Sequence, residues 1–165
     1  MFIVKVPDKF VKADGKPWIK EKEVDGGPVR MLDQEGKPIV LALTPKGEPI
    51  YRNETEHASY LDTLTIFINN VFNLVAAKAR ENKEIKTLTM EDSAFATDLF
   101  RAIHVSNGTL ELEKAPHEWL KAKLTLYGID MFGVNAATVL EPLKQAEEAA
   151  PGRAEAKRQA RAGKE

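Results

Sequence analysis

Gly36-Lys37-Pro38-Ile39-Val40-Leu41-Ala42-Leu43-Thr44-Pro45-Lys46-Gly47-Glu48-Pro49-Ile50 decides the first third of this fold. The stretch holds two copies of one pattern: a glycine, one further residue, a proline and an apolar residue. The pattern stands twice more upstream, at Gly15-Lys16-Pro17-Trp18 and Gly26-Gly27-Pro28-Val29, with a spacing that stays close to eleven residues. A charged residue precedes each glycine, namely Asp14, Asp25, Glu35 and Lys46. Glycine accepts positive φ in a tight reversal, and proline then fixes φ while lacking an amide donor, which suits the first residue of a new strand. The repeat therefore predicts an antiparallel β-meander with strands at 2–6, 17–24, 29–32, 38–43 and 49–52.

Those strands differ in the burial their residues ask for. Ile39-Val40-Leu41-Ala42-Leu43 is continuously apolar, which suits a strand covered on both faces. Trp18-Ile19-Lys20-Glu21-Lys22-Glu23-Val24 carries four successive charges and reads as a solvated edge or a projecting hairpin. Trp18, Lys20 and Lys22 are accordingly candidate partner-binding residues, because aromatic side chains dominate interface energetics; the alternative for Trp18 is a lid over one end of the core.

Downstream the period changes from strand to helix. Asn53-Glu54-Thr55-Glu56 resembles a capping box and predicts that a long helix starts there and ends near Asn82. Leu64, Phe67 or Ile68, Val71, and Leu74 or Val75 fall at steps of three and four, one stripe that Ile66 and Phe72 widen. Asn69 and Asn73 stand one turn apart on the less apolar side and are candidate partner-binding amides. Thr89-Met90-Glu91-Asp92 opens a second helix, with threonine as N-cap and two acids at the positive end of the dipole. Residues 109–113 alternate like a short strand. Pro116 begins a third helix that Gly128 closes, and a fourth starts near Val134 or Asn135, with Pro142 bending or splitting it.

The expected fold is α+β: an N-terminal antiparallel β-meander packed on a long central helix, then three shorter helices and a flexible C-terminal tail. Residues 1–150 read as one domain, with the meander at 1–52 and a mainly helical part at 53–150, and residues 151–165 as a flexible basic tail. A chain of 165 residues that is 43% hydrophobic needs neither metal nor disulfide to build a core.

Composition narrows the chemistry. With 24 basic and 25 acidic residues the formal net charge is -1, so no global field draws the chain to nucleic acid or a membrane surface. The absence of cysteine removes thiol chemistry and sulfur-based metal sites, and fits a reducing, cytoplasmic setting. The longest apolar stretch is broken by Asn69, Asn70 and Asn73 and is too short to span a bilayer, and no signal-peptide core is read at the N-terminus. His57, His104 and His117 show no metal-pair spacing; His117-Glu118 opens like a zinc-protease motif, but Lys121 stands where the second histidine belongs, so His117 reads as a surface residue. Phosphate-loop and elbow-serine patterns are absent, and no cofactor is indicated.

What is left is surface. A non-catalytic protein–protein interaction or assembly protein is the expected function, with bacteriophage particle or accessory proteins as the class it brings to mind and a virion as the other location. The first alternative is a nucleic-acid-binding or regulatory protein acting through Arg153, Lys157, Arg158, Arg161 and Lys164, which outnumber Glu155 and Glu165 in the tail. The second is a small enzyme built on carboxylates, with Glu54, Glu56 and Asp62 near His57.

Overall fold

The computed structural model describes residues 1–149. In chain order its elements are β1 (Phe2–Lys5), β2 (Ile19–Glu21), β3 (Glu23–Val24), β4 (Gly27–Pro28), β5 (Val40–Leu43), β6 (Pro49–Tyr51), β7 (Thr55–His57), α1 (Tyr60–Glu81), α2 (Met90–His104), β8 (Thr109–Leu112), α3 (Lys114–Phe132), a 3-10 turn (Gly133–Asn135), α4 (Ala136–Lys144) and β9 (Glu147–Glu148). The α+β class read from the sequence is the one observed. These elements fall into two compact units, one made of Met1–Lys16 with the chain from Ser59 onward, the other of Pro17–Ala58.

The first unit has a conventional core. β1 lies between β8 and β9 in a three-stranded antiparallel sheet, with Phe2 opposite Leu112 and Val4 opposite Leu110. Val4, Leu110 and Leu112 are fully buried, as alternation on a one-sided sheet requires. The stripe of α1 is buried at Leu64, Phe67, Ile68, Val71 and Val75, as its spacing predicts. Leu99 of α2, Leu120 and Leu124 of α3, and Val139 and Leu143 of α4 complete the core.

The start of α1 corrects the sequence reading. Its N-cap is Ser59, whose hydroxyl accepts from the Asp62 amide while the Asp62 carboxylate accepts from the Ser59 amide at 2.8 Å. Asn53 instead bridges Arg30, and 55–57 form β7. Two boxes compete in this stretch, and the earlier one loses because strand pairing with β2 satisfies its backbone first. Thr89 is the N-cap of α2 as expected, and Asp92, read from the sequence only as a dipole partner, closes a reciprocal capping box with it. The third helix does not stop at Gly128 but runs to Phe132, with Gly133 at φ 56 as its C-cap. Gly128 is buried instead within α3, where a Cβ would lie 3.4 Å from Cβ of Ala136, an ordinary contact. Pro142 is accommodated inside α4 without splitting it.

The second unit is built from hairpins, and two of its three glycine turns, at Gly36 and Gly47, share one geometry with the turn at Gly15 in the first unit. At Gly15, Gly36 and Gly47 the glycine amide donates to the carbonyl three residues back, while that residue's own amide donates to the carbonyl four residues on. All three glycines have φ between 79 and 80, the type I turn with a left-handed bulge residue. Asp33 Oδ1 accepts from the amides of Glu35 and Lys37, and Thr44 Oγ1 from that of Glu48. The turn at Gly26 differs: Asp25 has φ 52 and Gly26 φ 77, so Val24 and Gly27 close a type I′ turn, the Asp-Gly preference at work.

The hairpins join in an unusual way. The stretch from Pro49 to His57 pairs along one edge in turn with β5, with Arg30 and with β2. Between these partners two side hairpins branch off, tipped by Gly26 and Gly36. At each branch three strands close a ring of hydrogen bonds. Lys22 N–H donates to Glu54 O (2.8 Å), Glu54 N–H to Val29 O (2.7 Å), and Val29 N–H to Lys22 O (2.9 Å). Met31 N–H likewise donates to Arg52 O (2.8 Å), Arg52 N–H to Ile39 O (2.8 Å), and Ile39 N–H to Met31 O (3.0 Å). The expected strand at 29–32 is therefore two isolated bridges, Arg30 to Asn53 and Leu32 to Pro38. This branching satisfies the backbone while no level of the unit becomes wide enough to have a covered face.

Candidate interaction surface

The consequence falls on β5. All four of its residues are exposed, Leu41 at 63% and Leu43 at 65%, although its sequence is that of a strand covered on both faces. The expectation of two-sided burial is thus overturned for this chain alone. Val40 pairs with Tyr51, Ala42 with Ile50 and Leu43 with Pro49, and the register slips between Val40 and Ala42, leaving Leu41 as the extra residue of a bulge. Ile50, Val24, Leu32 and Ile19 are also about half exposed. Trp18 and Ala58 are the buried hydrophobic residues of the unit. On one side the Arg30 guanidinium lies 3.8 Å over the Tyr51 ring, a cation–π contact that covers part of the ribbon.

The other residues singled out from the sequence sit as follows. Trp18 is nearly buried, and its carbonyl accepts from the Ala58 amide at 2.9 Å. Lys20 and Lys22 reach across to β7 and the residue before it: Lys20 Nζ stands 3.6 Å from Glu56 and Lys22 Nζ 3.4 Å from Glu54. Asn53 Nδ2 donates to Glu21 at 3.1 Å. The charged strand is thus knitted to its neighbour. Asn69 and Asn73 are both exposed on α1, in the other unit, and Asn70 Nδ2 donates to the Ile66 carbonyl. Arg153, Lys157, Arg158, Arg161 and Lys164 lie outside the described residues.

The carboxylate and histidine candidates do not converge. Glu54, Glu56 and His57 belong to the extended strand, whereas Asp62 is committed to the cap of α1. His57 and His104 are exposed. His117 is the surprise: 1% exposed, it corrects the reading of a surface residue. Its ring stacks on Phe2 with centroids 4.2 Å apart, and Nε2–H donates to the Leu143 carbonyl at 3.0 Å, which ties α3 to β1 and α4. Nδ1 then faces Glu118 Oε1 at 3.4 Å. Lys121 donates a hydrogen bond to Glu118 and holds that carboxyl below its ordinary range.

Two further features belong to the first unit. A cleft of about 290 Å³ is lined by Asp98, Ala102, Glu111, Leu112, Glu113 and Pro116, between α2, β8 and the start of α3. Asp92 gathers a small network, accepting from the Thr89 amide (2.6 Å) and from Trp119 Nε1 (2.6 Å), with Lys123 Nζ at 3.7 Å. Burial pushes the Asp92 carboxyl up, and the hydrogen bonds from Thr89 and Trp119 together with the Lys123 charge outweigh it, so the group sits below its ordinary value. Burial pushes the Tyr60 phenol, which donates to Val139 O, well above its usual range.

Among the described residues no three His, Asp or Glu side chains are grouped to hold a metal, and no helix is long and apolar enough to cross a membrane. The sequence named Ile39–Leu43 but assigned it to the core; the signal that it is a surface is the absence of any charge from Pro38 to Pro45 inside a unit too narrow to cover it. No family model matches the chain, and neither a curated protein nor a solved structure resembles it.

Proposed function

We propose that this chain is a non-catalytic interaction or assembly protein that works through its Pro17–Ala58 unit. One observation carries the reading: β5 has the sequence of a strand covered on both faces and is exposed on both. Leaving several Val, Leu and Ile side chains half in water forgoes about 1 kcal/mol each relative to full burial. A neighbouring molecule supplies that cover at no cost to the first unit, whose core is complete. The internal pairing of Lys20 and Lys22 favours an apolar docking strand over a charged one.

The test uses the full chain. Light scattering on the purified protein and affinity capture from its native source should show self-association or one stoichiometric protein partner. The double substitution Leu41→Lys with Leu43→Lys should abolish whichever is found while leaving the helical circular dichroism unchanged. A wild type that is monomeric and recovers no partner, or a double variant that keeps its partner, sinks the reading.

A further inference from the structure

We infer that Asn107 is a site of spontaneous deamidation, at which the folded chain turns an asparagine into an isoaspartyl or aspartyl residue and thereby loosens the pairing of β1 with β8. The reactive pair is Asn107-Gly108, in the turn between α2 and β8, and it is the chain's one asparagine followed by a glycine. Deamidation within a protein begins when the amide nitrogen of the next residue attacks the asparagine side-chain carbonyl. A following glycine favours this step because it has no side chain to crowd the approach.

The structure separates this asparagine from the other six. Asn69, Asn70 and Asn73 lie inside α1, where the amide that follows each belongs to the helical ladder. The amide after Asn53 is that of Glu54, which donates to Val29 O at 2.7 Å, and the amide after Asn135 is that of Ala136, which donates to Gly133 O. Asn82 is followed by Lys83, whose side chain crowds the approach, and its own Oδ1 accepts from the Glu84 amide at 2.9 Å. Asn107, by contrast, is exposed, and among the described residues neither its side chain nor the Gly108 amide makes a hydrogen bond. Gly108 has φ 72, and apart from its chain neighbours no atom lies within 4 Å of where a Cβ would stand, so the attacking nitrogen is open to solvent. Asp14-Gly15 and Asp25-Gly26 share the small second residue, but an ionised carboxylate is a poor electrophile, and the Gly15 amide is committed to Lys12 O at 2.9 Å.

The chemistry balances with water as its co-reactant and involves no oxidation or reduction. The Gly108 amide gives its proton to a solvent base, and its nitrogen forms a bond to Cγ of Asn107. The Cγ–Nδ2 bond then breaks, and ammonia leaves with that proton returned to it. One water molecule opens the five-membered imide that remains. Breaking the bond from the Gly108 nitrogen to Cγ gives aspartate; breaking its bond to the Asn107 main-chain carbonyl carbon gives isoaspartate, in which the backbone runs through Cβ and Cγ. Either product adds a negative charge, and the second adds one backbone carbon. The position gives this its consequence, because Gly108 O accepts from the Val6 amide at 3.1 Å and Thr109, the next residue, stands opposite Lys5. An extra backbone carbon just ahead of that register displaces the Gly108 carbonyl from Val6.

The full-length wild type, held in mildly alkaline buffer at body temperature and sampled over weeks, should gain the mass of amide-to-acid conversion. Peptide mapping with electron-transfer fragmentation, which tells isoaspartate from aspartate, should place that gain at Asn107 ahead of every other asparagine. The rate should rise with pH, since loss of the amide proton precedes attack. Asn107→Gln, whose longer side chain has to close a larger ring, should lose the signal. In the aged wild type the Val6 amide should lose its protection from hydrogen exchange, and in Asn107→Gln incubated alongside it should keep it. An Asn107 that stays intact under these conditions overturns the inference, as does earlier conversion at any other asparagine. Conversion that leaves the protection of Val6 unchanged overturns the loosening of β1 from β8.

Discussion

The two units of this chain solve the backbone problem equally well and the burial problem very differently. In Met1–Lys16 with the chain from Ser59 onward, strands and helices each present one apolar stripe, and the stripes meet: Val4, Leu64, Phe67, Ile68, Val71, Leu99, Leu110, Leu120 and Leu143 are all at or near zero exposure. In Pro17–Ala58 the amides and carbonyls are paired through two rings of hydrogen bonds, yet Val24, Leu32, Val40, Leu41, Leu43 and Ile50 all remain about half or more exposed. Hydrogen bonding sets the geometry of both; side-chain burial supplies stability to only one.

The sharpest way to break that contrast is a pair of truncations. Phe67→Ala, which empties a site at 0% exposure, is expected to cost about 3–5 kcal/mol in urea unfolding, whereas Leu41→Ala should stay within about 0.5 kcal/mol in the monomer. Equal losses would show that the second unit has a core of its own. His117→Ala comes next, at about 3 kcal/mol, because it removes a ring packed on Phe2 and leaves the buried Leu143 carbonyl without its donor. A loss below about 1 kcal/mol would make His117 a passenger. Ser59→Ala should cost about 1 kcal/mol, and Asn53→Ala should leave the length of α1 unchanged by hydrogen exchange, since Ser59 and not Asn53 is its cap.

The smallest effect is a pH dependence. Asp92 is held below its ordinary value in the folded state, so its contribution is complete above the unfolded carboxylate value and is lost as pH falls through the lower folded one. Thermal melts from neutral to acidic pH should therefore converge between wild type and Asp92→Asn at the acidic end. Parallel curves would remove Asp92 from the stability of the first unit.

Much of this was legible in the residues. The eleven-residue turn spacing announced the hairpins, the stripe from Leu64 to Val75 announced α1, and Thr89 with Asp92 marked the start of α2. What escaped has physical reasons. A capping box is a local pattern, and Asn53-Glu54-Thr55-Glu56 has the composition of one; strand pairing with β2 is a long-range interaction that local composition does not encode. Gly128 reads as a helix end because glycine so often ends helices, but the positive-φ C-cap of α3 is Gly133, further along the chain. His117 follows Pro116 in a polar run, and only the fold brings Phe2 and Leu143 to its ring. The surface at β5 was hidden by its own apolarity, since periodicity distinguishes a covered strand from an alternating one without saying which molecule does the covering.

The 2.9 Å bond from the Ala58 amide to the Trp18 carbonyl makes the Pro17–Ala58 stretch a cassette. Its first and last residues are neighbours, so for the remainder of the chain the whole segment is topologically no more than one short loop. Closing such a loop costs little more entropy than closing a much shorter one. Splicing Lys16 to Ser59 through a few glycines should give a shorter protein that still folds cooperatively, and the excised ribbon can be grafted wherever another scaffold offers two backbone ends the width of a strand pair apart.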